Sequence, residues 1–411
     1  MNALTQQDIT TLAGSDIESN TLAPLRLFSA WEVTTFILPM SIGHFRRVLR
    51  EMPNLPQGIA QTDAVNAARW FTLNEVETLR AYFKTQGRKP PTLRPHTAPV
   101  VGLVQPYGQA GKTTGVLHLA TAAALSGLRV LVIDTDPEGA VTRALAAPSD
   151  GTAHSALGVL PLIARSYGGH LLRANQLRLD QGETPQPMED MISRALGLAA
   201  RDVIRHSRYV NIDLIAAPRS LALADMQLGD WQGRARTWQP WRALHDVIKR
   251  DRLAQTYDIV FCDTGPGVGP LMLAIAASCD VLVMPVALHT PDAERITAAG
   301  LRTLADGLSD IQTRENRTAR AMGQAGLKLS WRGVHLLASG DCAQTKRATA
   351  QIRARFGGAV LPDAMPEIDW VRAGTVAQFY DLAPRDVPRA TYTALRAEMD
   401  ACWRGLLAQL V

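Results

Sequence analysis

Val100 to Thr114 reads VVGLVQPYGQAGKTT. The apolar run Val100 to Val104 passes at once into a turn containing Gly108, Gln109, Ala110 and Gly111, which leads through Lys112, Thr113 and Thr114 into an apolar periodic segment, Val116 to Leu125. Strand, small-residue turn and helix in this order let main-chain N–H groups close around a polyphosphate, and the opening helix adds its positive end. At this spacing Lys112 can reach β- and γ-phosphates and the Thr113 hydroxyl can ligate Mg²⁺, so Gly108 to Thr114 form the candidate nucleotide-binding set. The pattern departs from the usual one at Pro106, where a glycine normally stands five positions before Gly111. A GKT tripeptide in an ordinary surface turn would need neither the strand nor the helix that flank this one.

Two further strands end in acids. Val130 to Ile133 delivers Asp134-Thr135-Asp136-Pro137-Glu138-Gly139. Acids two apart on a strand end point in different directions, so one of Asp134 and Asp136 can face Lys112 and the metal while the other faces the γ-phosphate. Asp258 to Asp263 is a second such strand, followed by Thr264-Gly265-Pro266-Gly267, and an acid ending a strand downstream of a phosphate loop is placed to hold Mg²⁺ through water. Ile212 to Ala216, Val281 to Pro285 and Val334 to Ala338 read as further buried strands. Helices are expected at about Leu157 to Tyr167, Glu189 to Arg205, Trp238 to Ala254, Asp292 to Leu308, Cys342 to Arg355 and Arg389 to Leu410. The alternation predicts an α/β fold over residues 100–411, a P-loop NTPase with a mostly parallel twisted sheet flanked by helices.

The first hundred residues read differently. Residues 1–24 are polar and unpatterned, as in a flexible leader. Ser29-Ala30-Trp31-Glu32 is a capping box opening a short helix, and Ser41 can cap a second, Ile42 to Glu51, with Phe45, Val48 and Leu49 inward and Arg46, Arg47 and Arg50 outward. A Pro/Gly-containing loop, the extended piece Arg69-Trp70-Phe71 and a second capping box, Thr72 to Glu75, follow. Helix, turn, helix, wing and helix over residues 25–85 is the outline of a winged helix-turn-helix, with the three arginines as candidate DNA contacts. A small helical domain with another partner fits the same outline. Residues 86–99, with Pro90, Pro91, Pro95 and Pro99, read as a linker.

Composition sets bounds. The 411 residues, 46% hydrophobic and 20% charged, can fill two or three domains and exclude wholesale disorder. A net charge of +5 and an isoelectric point of about 9.2 lean towards a polyanionic partner. On the expected helix after Cys342, Lys346, Arg347, Arg353 and Arg355 occur with no acid, and Lys346 and Arg353 share a face; a DNA-backbone stripe and a solvated face are both open. Cys262, Cys279, Cys342 and Cys402 are dispersed, which argues against a disulfide framework, a structural zinc or a shared cluster and for small core residues. A signal peptide and long apolar spans are absent from the sequence pattern, so a cytoplasmic location without a membrane partner is expected.

The stretches YGQAGKTTGVLHLATAAALSGLRVLVIDTDPEGAVTRAL, NIDLIAAPRSLALADMQL and YDIVFCDTGPGVGPLMLAIAASCDVLVMPV together resemble the ParA/MinD family of deviant Walker ATPases. The plasmid-type ParA proteins, including the RepA partition proteins of repABC replicons, are most similar, since they carry a DNA-binding helix-turn-helix of MerR-like kind ahead of the ATPase. The resemblance implies an ATP/ADP- and Mg²⁺-dependent homodimer that binds DNA, works with a ParB-like partner to segregate a plasmid or chromosome on the nucleoid, and represses its own operon. It also implies roles: Lys112 and Thr113 on phosphate and Mg²⁺, Asp136 on the attacking water, Asp263 as the Walker B acid, and Asp134 supporting the metal shell. One departure stands out, because the family's signature lysine falls on Tyr107 and the second glycine of its pair on Gln109. Tyrosine brings no cation to a partner's phosphate, which opens the alternative of a nucleotide-sensing DNA-binding regulator or scaffold with weak hydrolysis.

Overall fold

The computed structural model describes residues 26–60, 68–86, 98–108, 110–147, 157–288, 292–321, 333–339 and 343–410, with 333–339 and 343–345 traced by backbone alone. The proposed leader, most of the proposed linker, Gln109 and Cys342 lie outside the described residues.

Both capping boxes form. Ser29 Oγ accepts the Glu32 N–H while the Glu32 carboxylate takes the Ser29 N–H, and Thr72 and Glu75 repeat the exchange. The first opens α1 (Ala30–Glu32), which loosens at once into a π-turn over Val33–Ile37 ahead of Pro39. Ser41 caps α2 (Ile42–Glu51), which buries Phe45, Val48 and Leu49. The second box starts α3 (Leu73–Thr85). Strands β1 (Phe28–Ser29), β2 (Ile59–Ala60) and β3 (Arg69–Phe71) make a small antiparallel sheet in the order β1-β3-β2.

The larger sheet comprises β4 (Val100–Leu103), β5 (Val130–Thr135), β6 (Ile204–His206), β7 (Ile212–Ile215), β8 (Ile259–Thr264), β9 (Val281–Ala287) and β10 (Gly333–Ser339), ordered β10-β9-β4-β8-β5-β7-β6. Every pairing is parallel except β6 with β7 at the edge. The chain leaves β4 for β5 on one side of β8 and returns from β8 to β9 on the other, which opens a crevice at the carboxyl ends of the central strands. Register places Leu103 beside Asp263 and Asp263 beside Asp134.

Two apolar cores sandwich this sheet, fed by alternate residues of each strand. Val101, Leu103, Val132 and Phe261 face α4 (Lys112–Leu125) and the C-terminal helix, Arg389–Leu410. Val100, Leu131, Ile133 and Val260 face the other side, where α6 (Val159–Asp180), α7 (Ala224–Arg234), α8 (Ala243–Arg250), α9 (Pro270–Ser278) and α10 (Ala293–Ala321) pack. Between α4 and α6 lies the short α5 (Ala140–Leu145), and the chain ends with α11 (Ala343–Phe356) and α12 (Arg389–Leu410). Cys262, Cys279 and Cys402 are buried core residues.

Four elements differ from the sequence reading. Helix α6 continues to Asp180, because Gly168 does not stop it but receives Ile192 and Leu196 from the next segment. The expected helix Glu189 to Arg205 breaks at Gly197 into Asp190–Ala195 and Ala200–Val203 and then pairs as β6. Pro240 and a left-handed Arg252, φ 54°, divide the expected helix Trp238 to Ala254. Helix α10 runs past Leu308 because Gly307 serves as a seat for Leu273 rather than as a stop.

The N-terminal unit shares the first core with α4 and α12. Arg26 pairs with the buried Glu32, whose Oε1 also accepts from Tyr392 Oη of α12 at 2.9 Å. Arg80 of α3 donates to Leu125 O at 2.5 Å and Ser126 O at 3.2 Å, capping the last carbonyls of α4. Its side chain lies 2.8 Å from where a Cβ on Gly127 would stand, and Gly127 has φ 97°, so the end of α4 accepts only glycine there.

Candidate nucleotide site

A cleft of about 740 Å³ opens at the carboxyl edge of β4, β5 and β8. One wall is the loop before α4. Gly111 begins that helix at φ 84°, and no atom lies within 4 Å of the position a Cβ would take at Gly108 or Gly111. The main chain is therefore reachable from the cleft, with the amino end of a fourteen-residue helix behind it.

Lys112 is buried, and its Nζ donates to Gln105 O at 3.1 Å and Tyr107 O at 3.2 Å, inside its own loop. Burial lowers its pKa, while Asp263, Asp136 and Glu138 pull the other way. Thr113 Oγ1 donates to Asp263 Oδ2 at 3.0 Å across from β8. The other oxygen, Asp263 Oδ1, is buried with no hydrogen-bond partner, and burial beside Asp134 raises this carboxyl well above the ordinary range. An orphaned carboxylate oxygen next to a threonine hydroxyl, below an open phosphate-sized loop, fits a hard cation completed by phosphate and water. Among the described residues no group of three or more His, Cys, Asp or Glu is placed to hold a metal ion.

The two acids, one on β5 and one just past its end, take different partners. Asp136 lines the cleft and accepts the Glu138 N–H at 3.0 Å. Asp134 does not line the cleft. Its Oδ1 accepts from Asp136 N at 3.0 Å and its Oδ2 from Thr142 N and Oγ1 at 2.8 and 2.7 Å. With both oxygens engaged and burial raising its pKa to about 6, Asp134 braces the strand end on which Asp136 sits. Thr135 and Thr264 extend the bracing through bonds to Asp263 O and Leu103 O.

The opposite wall was not foreseen. Met365, Ile368 and Val371, with Pro285 and Ala287 at the carboxyl end of β9, make it apolar, and Arg372 stands on its rim. Glu138 and Pro266 close the floor, and His118 lies between the walls. A polar residue inside the apolar run of α4 was the available signal for His118; the far wall has none, since its residues come from separate pieces, the end of β9 and a short segment closing in the one-turn helix Asp369–Arg372. Tyr107 is 43% exposed.

The candidate DNA residues fall on two surfaces. Arg46, Arg47 and Arg50 are exposed on α2, with Arg47 against His44 Nδ1 at 3.1 Å. Lys346, Arg347, Arg353 and Arg355 are exposed on α11, where Arg353 bonds Pro362 O at 2.6 Å and Arg355 pairs with Glu294 at 2.5 Å.

Sheet order, phosphate loop and paired strand-end acids define a P-loop NTPase. A family profile described as AAA domain matches residues 99–320, more than half of the chain. The chain belongs to that family, as a Walker ATPase of the ParA/MinD type. The chromosome-partitioning ATPase Soj of Thermus thermophilus is 29% identical over 65% of this chain and 80% of its own length. Protein SopA of Escherichia coli is 24% identical over 74% of this chain and 68% of its own. A solved structure described as a partition protein has the same fold, with a TM-score of 0.57 at 17% identity over 92% of this chain and 96% of that one. No helix among the described residues is long and apolar enough to cross a membrane.

Proposed function

We propose that the chain is a partition ATPase that binds ATP with Mg²⁺, dimerises, binds DNA and segregates a plasmid or chromosome with a ParB-like partner. The Thr113–Asp263 contact beside an unpartnered carboxylate oxygen, under a loop whose main chain is open, carries this reading. Main-chain N–H groups from Gly108 to Thr114 hold the phosphates, and the Lys112 ammonium exchanges its loop carbonyls for phosphate oxygens. Thr113 and Asp263 would hold Mg²⁺, the latter directly or through water. When bound, the ion neutralises charge on the phosphate oxygens. Asp136, open to the cleft and fixed by Glu138 N, orients the attacking water, and Asp134 holds the Asp136 amide in place.

Residues 25–85 are read as the winged helix-turn-helix, with Arg46, Arg47 and Arg50 towards an operator and autorepression as the outcome. Lys346, Arg347, Arg353 and Arg355 would contact DNA backbone without sequence preference. The protein would work in the cytoplasm, on the nucleoid.

Tyr107 favours a second reading, a nucleotide-sensing regulator or scaffold that turns over weakly. Phosphate release with DNA present decides between them. Turnover lost in Lys112→Ala supports the ATPase; ATP uptake without turnover supports the sensor. Tyr107→Lys should raise DNA-stimulated release if the missing cation limits it, and an unchanged rate would mean another group already supplies the charge.

A further inference from the structure

His118 sits in the third turn-facing position of an otherwise apolar run, Val116-Leu117-His118-Leu119-Ala120, and is 2% exposed. Its Nε2 lies 2.9 Å from the Phe379 N–H, which can only donate, so Nε2 accepts. The proton of the neutral ring is then on Nδ1, which donates to Thr114 O at 2.7 Å. Burial pushes the imidazole pKa down to about 4, so this single tautomer persists at neutral pH.

One partner lines the cleft on the phosphate side, and the other follows the far wall along the chain. Thr114 follows the phosphate loop in the first turn of α4. Phe379 comes after the far-wall segment, whose residues 368–376 are tied together by Arg372 N to Ile368 O at 2.9 Å, Gly374 N to Val371 O at 3.0 Å, Thr375 N to Trp370 O at 2.9 Å and Val376 N to Trp370 O at 3.3 Å. Behind Phe379 the piece is anchored to the edge of the sheet, because Asp381 accepts from Tyr209 Oη at 2.6 Å and Gln378 donates to the same hydroxyl at 3.0 Å. The imidazole thus spans a gap between one element that reaches phosphate and another that reaches the remainder of the ligand. An aliphatic residue of like size would fill the space and leave both walls free to part.

We propose that His118 is a positioning residue that fixes the separation of the phosphate loop and the far wall, and so sets affinity for the base and sugar of a nucleotide rather than for its phosphates. This rests on reading the cleft as a nucleotide site. The role explains why the ring is neutral, buried and doubly bonded although it reaches no phosphate-loop amide. It also predicts an asymmetry that plain destabilisation would not produce.

The test is calorimetry on the full chain with two probes, ATP·Mg²⁺ and inorganic tripolyphosphate·Mg²⁺. His118→Leu should weaken ATP about tenfold, the loss of one well-placed bond, while leaving tripolyphosphate within about twofold. His118→Gln, whose amide can still accept from Phe379 N, should recover most of the ATP affinity; it also serves if the leucine variant does not fold. Equal losses for the two probes, or no loss for either, overturn the role of His118 alone. Absence of ATP uptake by the unaltered chain overturns the nucleotide reading and the role together.

Discussion

The two walls of the cleft are built on opposite plans. The phosphate side is main chain, Gly108 and Ala110 to Thr114, set by the register of β4, β5 and β8 and by strand-end acids, among which Asp263 Oδ1 is buried without a partner. The far side is apolar side chains, Met365, Ile368 and Val371, carried on a segment that closes in the one-turn helix Asp369–Arg372 and is joined to the first wall through His118. One wall is rigid because a sheet edge dictates it. The other is held only by what it touches, so its contribution should be separable by mutation.

The largest effect belongs to the rigid wall. Lys112→Ala should lower affinity for ATP·Mg²⁺ and for tripolyphosphate alike, by on the order of a hundredfold, since a charge-assisted contact in a buried site is lost. A selective loss of ATP would break the division between the walls. Next comes acid sensitivity at the join. The folded pKa of His118, about 4 against an ordinary 6.5, means the unfolded chain binds the extra proton between these values, so this group's share of stability is full above pH 6.5 and is lost as pH falls towards 4. The share is about 3 kcal/mol. Asp134, raised to about 6, acts in the opposite sense over part of that window, as does Asp263. Urea unfolding at pH 7 and pH 4.5 should therefore show a smaller acid loss in His118→Gln than in the unaltered chain, while an equal loss would deny that the ring is buried neutral.

Arg80→Ala should come third, costing about 1–2 kcal/mol in thermal unfolding by uncapping Leu125 O and Ser126 O, with tripolyphosphate affinity unchanged. Smallest is Val371→Ala, half-buried on the far wall, for which ATP should weaken about threefold and tripolyphosphate not at all. Calorimetry on that variant sharpens the comparison even where the change is slight.

Legibility follows the same division. Lys112, Thr113, Asp136 and Asp263 could be read because a strand end, a turn and a helix start carry local patterns, and the alternation of apolar strands gave the sheet. Asp134 was legible as an acid but not as a brace, since its partner Thr142 lies eight residues on and its orientation depends on that residue's amide and hydroxyl together. The expected ends at Tyr167 and Leu308 fell short because Gly168 and Gly307 receive neighbouring side chains inside their helices, and such a glycine cannot be told by sequence from one that ends a helix. Met365 to Arg372 could not be found at all, for it becomes a wall only after β9 and α4 are in place.

Helix α4 starts under the phosphate loop and finishes beneath the guanidinium of Arg80, about 21 Å away at 1.5 Å per residue. A rod clasped at its far end cannot tilt without dragging what clasps it. Any rocking of Lys112 and Thr113 on ligand arrival would be transmitted as a swing of α3, and with it of the arginine-bearing surface of α2.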